Sequence, residues 1–218
     1  MPLTVEIWSD VVCPWCYIGK RRFEAALERF EHADEVTVMW RSFELDPEAA
    51  HVSEGTATER LAAKYGMSLE RAAQLHGEMT ERAAAEGLEF RFDLARGGNT
   101  FDAHRLIHLA ATYGHQAAAE ERLMRGYFTE GEAISDPETL IRLVAEVGVE
   151  VEEARDVLAG DRFASDVRED ELLASQLGIQ GVPFFVLDRR YGVSGAQPPD
   201  VLVQALERAW GEAVSLSA

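Results

Sequence analysis

Both cysteines of the chain lie in one short segment, Cys13-Pro14-Trp15-Cys16, and the side-chain period changes across it. Before it, residues 3–10 (LTVEIWSD) alternate apolar β-branched or aromatic residues with polar ones, the pattern of a half-buried strand. After it, Phe23, Ala26, Leu27 and Phe30 fall at i, i+3, i+4 and i+7 on one helical face. Pro14 suits a first helical turn, where its missing N–H costs nothing. A second strand, predicted over 35–45, ends at Asp46-Pro47. Residues 3–45 therefore read strand–helix–strand, with the thiols at the first strand-to-helix junction.

The next stretch, 48–160, reads as wholly helical. Ser68 is a cap for a helix over 69–86, and Asn99 or Thr100 for one beginning at Phe101. Leu123, Met124, Tyr127 and Phe128 form an apolar stripe before Gly131. Ser135-Asp136-Pro137 with Glu138 is a strong start signal, and the helix it opens stops at Gly148. Asp161 opens another helix, closed by Gly178. Strands return at 182–188 and 191–195 around the polar turn Asp188-Arg189-Arg190. A last helix begins at Pro198-Pro199 and buries Leu202, Ala205, Leu206 and Ala209, with the tail after Gly211 expected to be loose. The predicted class is α/β, ordered β-α-β, helical block, β-β-α. Residues 1–47 plus 161–218 form one sheet-and-helix domain, and 48–160 an inserted all-helical domain.

A formal net charge of −18, from 39 acidic against 21 basic side chains, repels phosphate backbones, so nucleic acid is not an expected partner. No apolar run is long enough for a membrane span. The N-terminus lacks the basic and apolar regions of a secretory signal, which points to a cytoplasmic protein. Oligomeric state is not readable.

Three chemistries use a Cys-x-x-Cys pair. A crosslink over so short a loop constrains little of the unfolded chain, and a reducing cytosol opposes it. A closed zinc site needs four ligands, and the chain has no second cysteine pair. Its six histidines include His104 and His108 at i, i+4, but none stands at finger spacing from the cysteines, so no metal is expected. Dithiol–disulfide exchange remains. At a helix start, unpaired N–H groups and the dipole lower a thiol pKa from ~8.5 to between ~3.5 and ~7.5, so Cys13 is the expected nucleophile. Cys16, one turn further in, keeps a higher pKa and resolves the mixed disulfide. Lys20, Arg21 and Arg22 either assist the thiolate at long range or are solvated charges.

CPWC at a strand-to-helix turn, with Gly181-Val182-Pro183-Phe184-Phe185-Val186 in the second half, resembles the thioredoxin superfamily. The resemblance implies that Pro183 is cis and faces the disulfide, and that the backbone beside it pairs with substrate as an added strand. The helical insertion resembles the DsbA-like branch. Within it, SDVVCPWCYIGKRRFE, NTFDAHRL and SGAQPP look like FrnE-type members, relatives of 2-hydroxychromene-2-carboxylate isomerase and kappa-class glutathione transferase. The implied function is a thiol-disulfide oxidoreductase acting on protein or peptide substrates through a redox-active Cys13–Cys16 disulfide. It has no bound cofactor, and an external thiol or glutathione is a possible electron partner. Cys13 and Cys16 are the catalytic residues. Pro14, Trp15, Val182 and Pro183 contact the guest, and Asn99, Phe101 and His104 are candidates to line the cleft. For Asn99 and Phe101 the alternative is capping and packing, and for Trp15 packing on the helical block. Two other functions stay open. One is a glutathione-dependent isomerase or transferase on a small aromatic substrate, although those relatives have serine where Cys13 stands and an acidic-plus-polar pair where Ala196-Gln197 stands. The other is a non-enzymatic, chaperone-like role.

Overall fold

A computed structural model describes residues 3–215. The chain runs β1 (Leu3–Ser9), α1 (Pro14–Leu27), a 3-10 turn at Ala33–Glu35, and β2 (Val36–Ser42). The helices α2 (Ala57–Tyr65), α3 (Leu69–Ala85), α4 (Phe101–Thr112) and α5 (Gln116–Arg125) follow, α5 continuing through a π-helical turn at Gly126–Glu130. After α6 (Pro137–Ala145), α7 (Val151–Ala159) and α8 (Ala164–Gln176) come β3 (Phe184–Leu187), β4 (Tyr191–Ser194) and α9 (Pro199–Ser215). The strands form one sheet ordered β2-β1-β3-β4. β1 is parallel to β2, from Leu3 opposite Val36 to Ser9 opposite Ser42, and antiparallel to β3, with Trp8 opposite Phe184. The strand order, and the helices inserted between β2 and β3, agree with the thioredoxin fold and helical insertion that the resemblance implies.

Alternation along β1 sorts its side chains between two faces. Leu3, Val5 and Ile7 pack with Phe23 and Ala26 of α1 and with Leu202, Leu206 and Ala209 of α9. Trp8 points the other way, onto Ala174 of α8 and Ile179, and its indole N–H donates to the Asp170 carbonyl at 2.9 Å. The β3–β4 turn places Asp188 and Arg189 at positive φ, 47° and 54°. Asp188 holds that turn to β1, its N–H donating to Thr4 O and its Oδ1 accepting from Thr4 N–H, both at 2.9 Å.

The cap residues read from sequence hold their helices. Ser68 Oγ accepts from Arg71 N–H, and Asp136 accepts from Thr139 N–H. The start of α2 is a full capping box between Thr56 and Glu59. Three expectations need correction. The stretch 48–160 is not wholly helical: residues 86–100 run irregularly and deliver Leu88, Phe90 and Ala95 to the core. α8 starts at Ala164 rather than Asp161, because Phe163 takes a left-handed φ of 62° just before it. α9 continues past Gly211 to Ser215, and the rest of the tail lies outside the described residues. Among the described residues no helix is long and apolar enough to cross a membrane.

Candidate active site

Cys13 occupies the N-cap of α1 in extended conformation, φ −86° and ψ 112°. Its N–H donates to the Asp10 carbonyl at 3.0 Å, and its own carbonyl accepts from the N–H groups of Cys16 at 3.0 Å and Tyr17 at 3.3 Å. Pro14 is the first helical residue, at the position where its lost donor has no intrahelical partner. Both thiols are free, with Cys13 4% and Cys16 1% exposed. The second half of the chain closes over them from the start of β3. The Val182–Pro183 peptide is cis, and Cys13 Sγ lies 3.6 Å from the Val182 carbonyl oxygen. Pro183 is buried against α1 at Gly19, where a Cβ would meet Pro183 Cγ at 2.8 Å.

The two thiols have unequal surroundings. Burial raises the pKa of Cys16 well above the usual thiol value, and the neighbouring Cys13 sulfur adds to it. The Asp10 backbone amide and the Ser9 hydroxyl work the other way, both favouring a Cys16 thiolate. Trp15, 38% exposed, stands beside the pair with the Arg82 guanidinium of α3 at 5.7 Å from its ring centroid. Both cysteines belong to the apolar cluster built mostly by the helices between β2 and β3, including Leu106, Leu123 and Phe128. Tyr17 makes the seam: its ring lies 6.0 Å from those of Phe90 and Phe128, and its hydroxyl donates to Glu121 at 2.6 Å.

The basic run after the thiols is spent on ion pairs rather than left as free solvated charge. Lys20 is buried and pairs with Glu24 and with Glu121 at 2.7 Å. Arg21 also pairs with Glu24 and Glu121, and Arg22 holds Glu86 at 2.5 Å and the Ala196 carbonyl at 2.6 Å. These residues tie α1 to α3, to α5 and to the segment before α9.

Asn99, Phe101 and His104 make the following contacts. Asn99 Oδ1 accepts from Phe101 N–H at 2.8 Å, capping α4, and its Nδ2 donates to Glu44 at 3.2 Å. The Phe101 ring carries the Arg168 guanidinium at 4.4 Å. His104 is buried behind the thiol loop, with Nε2 3.5 Å from Asp10 Oδ1, an ion-pair distance too long for a well-made hydrogen bond. Burial alone would depress its pKa, but the Asp10 carboxylate, backed by Glu120 and Glu44, outweighs burial and raises it. Asp10 itself accepts from Leu45 N–H at 2.8 Å, fastening the thiol loop to the chain leaving β2. Gln197 turns back onto Ser194, donating to its carbonyl at 2.8 Å.

Sequence reasoning passed over Ser9, Gly19, Arg82 and Glu120. Only Gly19 carried a readable signal, a glycine inside a helical pattern, which points to a close approach. Among the described residues no group of three or more His, Cys, Asp or Glu is placed to hold a metal ion.

A model of the DSBA-like thioredoxin domain matches residues 4–207. A probable DsbA oxidoreductase from Streptomyces coelicolor has a solved structure that superposes with a TM-score of 0.92 at 50% identity, covering 96% of this chain and 91% of that one. A cytosolic disulfide reductase, DsbM, from Pseudomonas aeruginosa, solved with GSH, shares the fold at a TM-score of 0.64 and 24% identity, over 94% and 98% of the two chains. An uncharacterized protein of Bacillus subtilis, YwbO, is 26% identical over 209 residues, 94% of this chain and 96% of that protein.

Proposed function

The chain belongs to the DSBA-like thioredoxin domain family, and from that premise we propose that it is a thiol-disulfide oxidoreductase exchanging its Cys13–Cys16 pair with protein or peptide substrates. The supporting observation is the placement of Cys13 Sγ, at the start of α1 and 3.6 Å from the carbonyl that precedes the cis proline. A sulfur there stands at the first turn of α1 beside the backbone that leads into β3, where an extended guest would pair.

In the reducing direction, the Cys13 thiolate attacks one sulfur of a substrate disulfide. The bond between the two substrate sulfurs breaks, and the second sulfur leaves as a thiolate that takes a proton. Cys16 then attacks Cys13 Sγ, forming the Cys13–Cys16 disulfide and releasing the first substrate sulfur. Two electrons pass from the dithiol to the substrate, and two molecules of an external thiol such as glutathione restore the dithiol, leaving as their own disulfide. Run backwards, the same steps oxidise a substrate dithiol. Trp15, Pro14 and Val182 border the sulfur and are the contacts we assign to the guest. The cytoplasm is the compartment we assign, since a reducing pool keeps such a pair supplied with electrons and the Pseudomonas neighbour is described as cytosolic.

Insulin reduction in a glutathione buffer tests this. The wild type reduces insulin and Cys13→Ser does not. At about pH 7, Cys13 alkylates at least about tenfold faster than Cys16, whose burial holds it as a thiol. Reduction that survives Cys13→Ser, or equal alkylation rates, overturns the assignment.

A further inference from the structure

If the chain exchanges disulfides as proposed, the backbone before Pro183 must stand at a fixed distance from Cys13 Sγ when a guest arrives. The sheet holds β3 to β1, but the thiols stand on α1, so the proline must also be held to that helix. Residues 19 and 22 do this, one helical turn apart on one face of α1. At Gly19 the contact is steric, with Pro183 and Ala196 packed where a side chain would stand. At Arg22 it is polar: Nη1 donates to the Ala196 carbonyl at 2.6 Å. The residue before Ala196 is Gly195, whose N–H donates to the Pro183 carbonyl at 2.8 Å. Two hydrogen bonds therefore connect the guanidinium to the proline through residues 195 and 196.

We propose that Arg22 is a positioning residue for the guest: it holds the turn at 195–197, and through it the Val182–Pro183 backbone, at pairing distance from Cys13 Sγ, with Glu86 locking its fork. Glu86, at the C-terminal end of α3, accepts from Arg22 Nε at 2.5 Å. A planar guanidinium held at Nε has little freedom left at Nη1, so the bond to Ala196 keeps a fixed direction. A lysine could reach the carboxylate or the carbonyl, but its ammonium imposes no such angle between them. Arg22 and Glu86 are each 22% exposed, so water competes for the pair only in part. Lys20 and Arg21 do not share this job, since they pair with Glu24 and Glu121.

The end of α3 extends the clamp to the other surface assigned to the guest. Arg82, one turn before Glu86, sets its guanidinium 5.7 Å from the Trp15 ring centroid. Trp15 and the Val182–Pro183 backbone are thus both tied to the end of α3, the second through Arg22. Arg22 bonds Glu86 and Ala196 rather than a thiol. Its loss therefore leaves the sulfurs reactive and frees the backbone on which the guest aligns.

Two substrates separate these roles, each followed with dithiothreitol as the reductant. A fluorescent peptide disulfide uses the backbone beside Pro183. Hydroxyethyl disulfide, neutral and without a peptide group, uses the sulfur alone. In Arg22→Ala, kcat/KM for the peptide falls at least about tenfold, chiefly through KM. Reduction of hydroxyethyl disulfide, and alkylation of Cys13 by iodoacetamide, stay near wild type. Arg22→Lys recovers only part of the peptide activity, because it keeps the charge without the fork. Equal losses on the two disulfides, or wild-type peptide kinetics in Arg22→Ala, overturn the positioning role. Should Arg22→Ala not fold, Arg22→Lys decides by the same comparison. A wild type that leaves the peptide disulfide unreduced would instead reject the proposed function, and this role with it.

Discussion

Gly19 offers the sharpest test of how the site is assembled. Replacing it with alanine places a Cβ 2.8 Å from Pro183 Cγ, 3.4 Å from Pro183 Cβ and 3.5 Å from the Ala196 Cβ. An ordinary contact begins near 3.4 Å, so the overlap with the proline ring is about 0.6 Å, and a ring fused to the backbone cannot swing aside. Overpacking of this kind costs about 1–3 kcal/mol, against about 1 kcal/mol gained by replacing glycine inside a helix. The net is between neutral and a loss of about 2 kcal/mol, or a Tm lower by up to about 8 °C for a domain this size. Gly77 supplies the control. It lies exposed inside α3, and a Cβ there meets nothing within 4 Å, so Gly77→Ala should raise Tm by about 2–4 °C. The larger effect of Gly19→Ala is on the chemistry. A shift of about half an ångström between Pro183 and α1 moves the Val182 carbonyl against Cys13 Sγ, and misplacements of that order cost at least about tenfold in rate. Thermal unfolding of both variants beside insulin reduction measures this. A Gly19→Ala protein as stable as Gly77→Ala and as active as wild type would show that α1 and Pro183 are not in contact.

Two further predictions concern pH. The raised Cys16 pKa means that the reduced native state holds a proton which the unfolded state releases above about pH 9. Stability is therefore fully present below that value and lost above it, by up to about 1.36 kcal/mol per pH unit. Reduced wild type should lose stability faster than Cys16→Ala in denaturant titrations above about pH 9, and parallel curves would refute the buried thiol. His104 also has a raised pKa, so its contribution is fully present below about pH 6.5 and lost as pH rises through the folded value. The stability difference between wild type and His104→Gln should thus shrink as pH rises above about 6.5, and a difference independent of pH would contradict the Asp10–His104 pairing.

The strands and most helices were legible because each carries its own period or cap. Val5 and Ile7 alternate with Glu6, and Ser68 and Asp136 stand where caps belong. α2 was not delimited, since it buries only Ala57 and Ala62 and so shows almost no apolar face. The stretch 86–100 falls between the helices expected over 69–86 and from Phe101, and it leaves α3 at Gly87, whose left-handed φ of 75° is a local stop inside the block expected to be wholly helical. Its path is set by distant backbone: a Cβ at Gly98 would meet the Ser135 hydroxyl at 2.3 Å and the His51 carbonyl at 2.6 Å. Phe163 falls inside the helix expected from Asp161, and its left-handed φ of 62° carries no local signal, since the residue is neither glycine nor asparagine.

The thiol pair was legible, while the polar groups behind it were not, and the difference is one of sequence distance. Cys13, Pro14 and Cys16 are neighbours in the chain, so their spacing announces a helix start. Ser9 and Glu120 are 111 residues apart, and a glutamate in an acidic chain reads as surface. Nothing in the sequence around Glu120 says that it is buried; α5 docks on β2, where Gln116 bonds both backbone groups of Trp40, and Glu120 then reaches Ser9 at the end of β1. The same docking places Cys13 and Cys16 in a cluster with Leu106, Leu123 and Phe128 rather than with the sheet core of Val5 and Phe185. The strand-to-helix turn therefore supplies the sulfurs, while the helices between β2 and β3 supply much of their burial.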